Sequence, residues 1–430
     1  MKRRPLRPKV YTIAPERPFL ATLAVGLLEL AGGDPLFLPR VTVLLPTRRA
    51  ARALREVFLH VAPEGREAGT PLLLPRMRPI GDIDSDELSP ALGMAEEGVF
   101  AVPPAIPELR RRLLLARLVL RWGEKRGGTP LLPGQAASLA GSLARLLDSV
   151  ATDGALFGSI YGLAPENLAE HWQIVLRFLE ILPEAWPGIL AAEGALDPAD
   201  RRNRLLERQA AIWRRSPPAD PVIAAGLIGG IPAMTELLSV VSSLGEGAVI
   251  LPGLDRVRDD AEWQAIEEDP SHPQNLMARL LKALGLDRAD IGDWPPKSGA
   301  SAVSRGFEAL ADLPLFAVAS NNTDKGTRGQ RIRVVGEALR PAATTDAWRR
   351  IPPYPAAALE GLSRYDCASA QEEAVTIALL LRRKLETAGA TAALVTPDRE
   401  LARRVAAELR RWDIEIDDSA GLPLNRTPPG

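Results

Sequence analysis

Val41-Thr-Val-Leu-Leu-Pro-Thr-Arg-Arg-Ala50, continuing into Ala51-Arg-Ala-Leu-Arg-Glu-Val-Phe58, decides the fold class of this chain. A β-branched apolar run stops at Pro46, and apolar residues then recur at Ala50, Ala53, Leu54 and Val57, so a buried strand feeds directly into an amphipathic helix. That is half of a parallel α/β unit. The turn offers the Thr47 hydroxyl, the guanidinium groups of Arg48 and Arg49, with Arg52 one turn further on, and the N–H groups of a helix start. All of these suit a phosphate oxygen. Cations at a helix start oppose the macrodipole. Two readings therefore stand, a phosphate contact or a solvated helix N-terminus.

Outward from this stretch the pattern repeats. Lys9 to Ile13 is a first strand and Phe19 to Leu30 a first helix, closed by Gly32-Gly33, while Thr70 to Leu74 is a candidate third strand. From Pro107 to about Trp213 the periodicity is helical throughout, with Leu139, Leu143, Leu146, Leu147 and Val150 on one element and Leu168, Trp172, Val175, Leu179 and Leu182 on another. Pro221 to Gly226 and Ala248 to Leu251 return as short apolar strands flanking a helix from Met234 to Leu244. A helical domain is inserted into an α/β one.

Trp294 to Arg350 is irregular in composition, and Ser320 to Gln330, all turn formers and charge, is expected to be a mobile loop. Beyond it come a helix from Gln371 to Leu385, a strand from Thr391 to Thr396, and a helix capped by Pro397-Asp398 that buries Leu401, Val405, Leu409 and Trp412. These begin a second α/β domain. With so few strands before Gly430, the expectation is that the natural protein continues.

With 430 residues, 46% of them hydrophobic and 25% charged, the chain can bury several cores. The net charge of -1 hides an asymmetry: residues 1–60 are strongly basic, whereas the stretch from Gly247 to Pro295 is acidic. Only the N-terminal part is ready for a polyanion. One cysteine, Cys367, and three scattered histidines, His60, His171 and His272, exclude an internal disulfide and give no zinc-ligand spacing, so no metal is expected. Lys2, Arg3, Arg4, Arg7 and Lys9 precede the apolar run Phe19 to Leu28, but Pro15 to Pro18 intervene and no cleavage site follows. No segment reaches membrane-spanning length, and a cytoplasmic location is expected.

A nucleotide-hydrolysing P-loop places Gly-x-x-x-x-Gly-Lys-Ser/Thr between first strand and first helix, since only glycine lets backbone N–H groups wrap the phosphates. Here Ala14-Pro-Glu-Arg-Pro-Phe19 stands in that place. Glu16 repels a triphosphate and Pro15 and Pro18 lack N–H donors. Nor do acidic residues follow the strand ending at Ala225, where Gly226-Leu-Ile-Gly-Gly230 stands instead. ATP hydrolysis by this chain is not expected.

Four stretches together carry a family resemblance: Val41 to Ala50; Leu74-Pro-Arg-Met-Arg-Pro-Ile-Gly-Asp-Ile-Asp84; Ala248-Val-Ile-Leu-Pro-Gly-Leu-Asp255 with Asp260-Ala-Glu-Trp263; and Asp269-Pro-Ser-His-Pro-Gln274. In these the chain resembles the alphaproteobacterial AddB family of double-strand-break repair proteins, from Tyr11 to Gly430 with a weak patch between Ser298 and Gln330. The resemblance implies a subunit that pairs with AddA in an ATP-dependent helicase–nuclease acting on DNA ends in the bacterial cytoplasm. It implies a superfamily 1 helicase-like fold: a degenerate RecA-like α/β domain over residues 1–100 and 214–295, a helical insertion over 101–213, an irregular linker over 296–355, and the start of a second RecA-like domain over 356–430. It further implies that Ala14, Pro15, Glu16, Arg17, Pro18 and Phe19 are a decayed nucleotide site. Thr47, Arg48, Arg49 and Arg52, with Arg76, Arg78, Thr396 and Arg399, would meet single-stranded or duplex-end DNA, and Leu251 to Arg256 sits where helicases couple nucleotide to DNA. Magnesium and ATP are then expected only in the full complex, because the family's nuclease site lies outside this chain.

Other constellations have simpler explanations. Asp82 to Glu87 imitates a calcium loop but has Glu87 where glycine is required. Arg110, Arg117 and Arg121 form a stripe that suits solvent as well as DNA, and the tryptophans at 122, 172, 186, 213 and 412 fit core packing better than base stacking. Two further function classes remain beside a DNA-tracking module: a freestanding nucleotide-dependent enzyme with a divergent phosphate site, and a pure interaction scaffold.

Overall fold

In the computed structural model, residues 8–60, 72–81, 102–126, 131–155, 179, 181–295, 325–388 and 390–421 are described. They fall into two compact units: one comprises Met1–Gly299 with Leu339–Arg350, the other Ala300–Ala338 with Ile351–Gly430. No helix among the described residues is long and apolar enough to cross a membrane.

The first unit is α/β and is built on an all-parallel sheet of six strands, consistent with a RecA-like fold. In chain order these are β1 (Val10–Ile13), β2 (Thr42–Leu45), β3 (Arg76–Pro79), β4 (Val222–Ala225), β5 (Gly247–Pro252) and β6 (Gly292–Asp293), and in space they run β3-β2-β4-β5-β1-β6. The register pairs Val43 with Met77 and with Ile223, Ala224 with Val249, and Val10 with Val249. The central strands are buried on both faces, as expected of a sheet covered on both sides.

Helix α1 (Phe19–Ala31) follows β1 and α2 (Arg48–His60) follows β2. Because parallel crossovers are right-handed, connections running toward the β3 edge share one face of the sheet, and α1 and α2 pack side by side there. The return connections use the other face. There Leu44, Val222, Ala224, Val249 and Leu251 form one core with Leu205, Leu206, Leu237, Leu238, Met277 and Leu281. These side chains come from α6 (Pro198–Arg215), α7 (Pro232–Ser243) and α9 (Asn275–Leu284), with α8 (Asp260–Glu268) preceding α9. Gly32 closes α1 in the left-handed conformation, as the sequence indicates.

Between β3 and β4 lie α3 (Glu108–Arg126), α4 (Pro133–Asp153) and α5 (Ile181–Glu193), which enclose a core of their own around Leu115, Val119, Leu143, Leu147, Leu182 and Trp186. Helix α6 belongs to the same helical stretch of sequence, yet it packs on α7 and sends Leu205, Leu206 and Ala210 into the sheet core. The two ends of the helical block are stitched together: Ile106 N donates to Leu196 O and Leu196 N to Pro104 O, both at 2.9 Å.

Three expectations are corrected. The third strand is Arg76–Pro79 rather than Thr70 to Leu74, of which Thr70 and Pro71 lie outside the described residues. As an edge strand it tolerates two arginines and a proline that a central strand could not. Of the stretch expected to be a mobile loop, Ser320 to Gln330, residues 320–324 lie outside the described residues and 325–330 begin α10 (Lys325–Ala338); a 3-10 segment, Ala342–Arg350, follows it. Arg331 donates to the carbonyls of Ala358 and Glu360 and so ties α10 to a short turn, Ala356–Leu359, an order that local composition does not announce. Finally, Thr391 to Thr396 is not a strand. Among the described residues of the second unit there is no neighbour to pair with it, and Val395 stands almost fully exposed. The second unit has instead α11 (Ala370–Leu385) and α12 (Arg399–Arg410), packed through Ala374, Ala378, Val405 and Leu409. The Asp82 to Glu87 turn and most of the helix expected around Trp172 lie outside the described residues.

Candidate nucleic-acid interface

In open parallel sheets, ligands bind beyond the carboxyl ends of strands where successive connections diverge to opposite faces. Here β1 and β5 diverge in this way, and so do β2 and β4. The segment Ala14 to Phe19 borders both crevices. A Cβ added to Gly253, just beyond β5, would lie 3.3 Å from the Cβ of Pro15, and one added to Gly226, just beyond β4, would lie 3.5 Å from the Phe19 ring and 3.6 Å from Cδ of Pro46. Gly226 has a φ of +73°, so the chain turns there at no steric cost under the aromatic ring.

The turn itself is self-contained. Arg17 N donates to Ala14 O at 3.0 Å, and the Pro18 carbonyl accepts both Thr22 N at 3.0 Å and the Thr22 hydroxyl at 2.9 Å. Pro15, Glu16 and Arg17 are exposed. A triphosphate requires converging N–H groups, and this loop supplies proline rings, an aromatic face and the Glu16 carboxylate. Titration calorimetry with ATP and magnesium is therefore expected to show no binding down to about millimolar affinity, roughly 4 kcal/mol. A micromolar dissociation constant would refute this expectation.

The β2–α2 turn is open by contrast. Thr47 caps α2, its hydroxyl oxygen accepting Ala50 N at 3.0 Å and its carbonyl accepting Ala51 N at 3.1 Å. The hydroxyl proton stays available as a donor. Ala51, Leu54, Val57 and Phe58 are buried, and this apolar face anchors the helix. The opposite side exposes Arg48, Arg52 and Arg55 at spacings of four and three, one helical stripe, with Arg49 exposed beside it. Arg55 extends the group that the sequence analysis assembled, and the helical period alone reveals it.

Arg76 and Arg78 do not join this stripe. Register and alternation place them on the face of the sheet that carries Leu44 and Ile80, opposite α2. Burial, and then the charge of Arg76, push the Arg78 guanidinium below its ordinary value, and no carboxylate among the described residues pairs with either. Thr396 and Arg399 lie in the second unit and serve local structure. The Thr396 hydroxyl accepts Asp398 N at 3.0 Å, Asp398 caps α12, and Arg399 grips Asp418 through two bonds of 2.9 and 2.7 Å.

The stretch from Leu251 to Gln274 has a structural explanation. Gln274 donates to Gly253 O at 3.0 Å and accepts from Asp255 N at 3.1 Å, holding the loop after β5 in place. Asp255 pairs with Arg258 at 3.0 Å, Arg258 with Glu262 at 2.7 Å, and Glu262 with Arg340 at 3.1 Å, so four charges alternate from a partly exposed Asp255 to a buried Glu262. The Asp255–Arg258 and Arg258–Glu262 pairs have local i, i+3 and i, i+4 spacings, whereas the Glu262–Arg340 pair spans distant sequence. Arg110, from the stripe on α3, is engaged by Glu193, while Arg117 and Arg121 are exposed. Among the described residues no group of three His, Cys, Asp or Glu side chains is arranged to hold a metal.

No protein-family model matches the chain, and no curated protein matches it.

Proposed function

We propose that this chain is a noncatalytic DNA-binding and partner-binding module, the AddB-type subunit of a helicase–nuclease that processes double-strand ends with an AddA partner. The observation that carries the reading is a contrast at one edge of the sheet. The loop where a nucleotide would sit is lined by Pro15 and Phe19 and lacks phosphate donors, whereas the neighbouring β2–α2 turn exposes Arg48, Arg49 and Arg52 beside a half-buried Thr47 at a helix start. A helix N-terminus with added arginines is unfavourable in isolation and favourable against a phosphate backbone. The inserted helical block, in this reading, corresponds to the second subdomain of a helicase-like fold. Magnesium and ATP belong to the complex rather than to this chain.

Binding should be insensitive to base sequence, because phosphate contacts position and base contacts specify. Arg48→Ala and Arg49→Ala are each expected to lower the salt slope of single-stranded DNA affinity by about one, uniformly across sequences. Fluorescence anisotropy with the full chain at two salt concentrations reads this. Wild-type affinity and slope in the double variant would overturn the assignment and favour the scaffold reading.

A further inference from the structure

We propose that Gly81 is a positioning residue for the β2–α2 turn, an inference that rests on the reading of Thr47, Arg48, Arg49 and Arg52 as a phosphate-facing group. Gly81 lies two residues beyond β3, is exposed, and does not adopt the left-handed conformation that would call for glycine. At such a position alanine is ordinarily tolerated or mildly stabilising. What excludes it is the turn. A Cβ built on Gly81 would stand 2.7 Å from the Pro46 carbonyl oxygen, 3.2 Å from the Pro46 Cα and 3.3 Å from its carbonyl carbon. All three are backbone atoms, so no change of rotamer relieves the overlap.

The strands on either side cannot absorb the displacement. Leu45 and Ile80 are fully buried, Ile80 N donates to Leu45 O at 2.9 Å, and Leu45 lies opposite Pro79 in the register, so β2 and β3 are locked together one residue before the contact. On its other side Pro46 is backed by β4, because a Cβ added to Gly226 would lie 3.6 Å from the Pro46 Cδ. Pro46 is thus packed between glycines just beyond both neighbouring strands. The part left to move is the peptide that joins Pro46 to Thr47. Its planarity carries any rotation of the Pro46 carbonyl into the Thr47 nitrogen. Thr47 is the residue whose hydroxyl and carbonyl oxygens accept Ala50 N and Ala51 N, and Arg48 and Arg49 leave the chain at the next two positions. The aim of these guanidinium groups is therefore set by a close backbone approach from the edge strand, and a binding group is only as precise as the shell that holds it.

Gly81→Ala in the full chain tests this in two ways. Without DNA, amide exchange at Ala50 and Ala51 is expected to accelerate about tenfold while Val57, farther along α2, keeps its wild-type rate. Unchanged exchange at Ala50 and Ala51 overturns the proposal. A general loss of protection that reaches Ile223 and Val249 also overturns it, since the sheet rather than the turn would then be what gives way.

With single-stranded DNA, the affinity of Gly81→Ala is expected to fall about tenfold. In a background that already carries Arg48→Ala and Arg49→Ala no further loss is expected, because the cations being positioned are gone. An equal loss in both backgrounds marks a merely structural effect and overturns the positioning role. Wild-type affinity in Gly81→Ala, beside weakened binding in the double arginine variant, removes the positioning role and leaves the phosphate reading standing. Wild-type affinity in the double arginine variant removes the phosphate reading, and the positioning role with it.

Discussion

Arg111→Ala is expected to cost about 3–5 kcal/mol, the scale on which removing one partner of a buried ion pair is felt, and to unfold the helical block first. Arg111 is the largest fully buried side chain among the described residues, 1% exposed. From α3 it reaches Asp148 on α4 at 2.9 and 3.1 Å and Asp197, the residue that precedes α6, at 2.7 Å. Asp197 also accepts the Trp186 indole N–H from α5 at 2.7 Å. Directly or through Asp197, one guanidinium therefore links the described helices α3, α4, α5 and α6. Burial works against its charge, but the hydrogen bonds it donates to Asp148 and the charges of Asp197, Asp148 and Glu108 outweigh this and hold it above its ordinary value. Without Arg111, Asp197 is left as a buried carboxylate whose protonation burial already favours. A carboxyl with a raised folded-state value contributes stability below its unfolded value, near 3.8, and loses it as pH rises through the folded one. The defect should thus be larger at pH 7 than at pH 4. Urea titration read by hydrogen exchange on α3 and α4 measures it, and a loss below about 1 kcal/mol, the size of a surface pair, would show the network to be dispensable.

Gly26→Ala is the second large effect, and its sign is opposite to what helix propensity dictates. In an isolated helix, alanine for an interior glycine gains about 1 kcal/mol. In α1 the new Cβ would stand within 2.7 Å of the Trp294 indole Cε2 and closer still to Nε1, with Pro295 Cβ at 3.1 Å. Trp294 cannot readily withdraw, because it is 2% exposed, its N–H donates to Thr12 O at 2.9 Å, and its ring meets Tyr11 edge-on at 5.6 Å. Overpacking of this kind costs about 1–3 kcal/mol, enough to cancel the propensity gain and leave a net loss. A thermal midpoint at or above wild type would show that β6 and its tryptophan move aside. The substitution is a test of the β1–β6 edge, which no periodicity in the sequence announces.

The parallel sheet was legible because its strands carry the pattern that burial on two faces demands. Val41 to Leu45, Val222 to Ala225 and Ala248 to Leu251 are apolar runs too short for helices, each followed by a turn and an amphipathic helix, and all three are strands. The caps at Asp398 and Gly32 were equally readable, since they act through bonds to their own neighbours. Thr391 to Thr396 has the same local character and is not a strand, because pairing needs a partner that local character cannot supply.

The candidate site divides along the same line. The amino-acid sequence by itself determined that Ala14 to Phe19 lacks phosphate donors and that Arg48, Arg49 and Arg52 stand at a helix start, since both follow from residue types a few positions apart. Only the tertiary structure decided that Pro15 and Phe19 lie beside Gly253 and Gly226, that Arg76 and Arg78 face away from α2, and that Arg399 is held by Asp418. Sheet order brings Gly226 to Phe19 although 206 residues separate them in the sequence. Local pattern fixes what each segment is, and long-range packing, set by which strands lie side by side, fixes what each side chain meets.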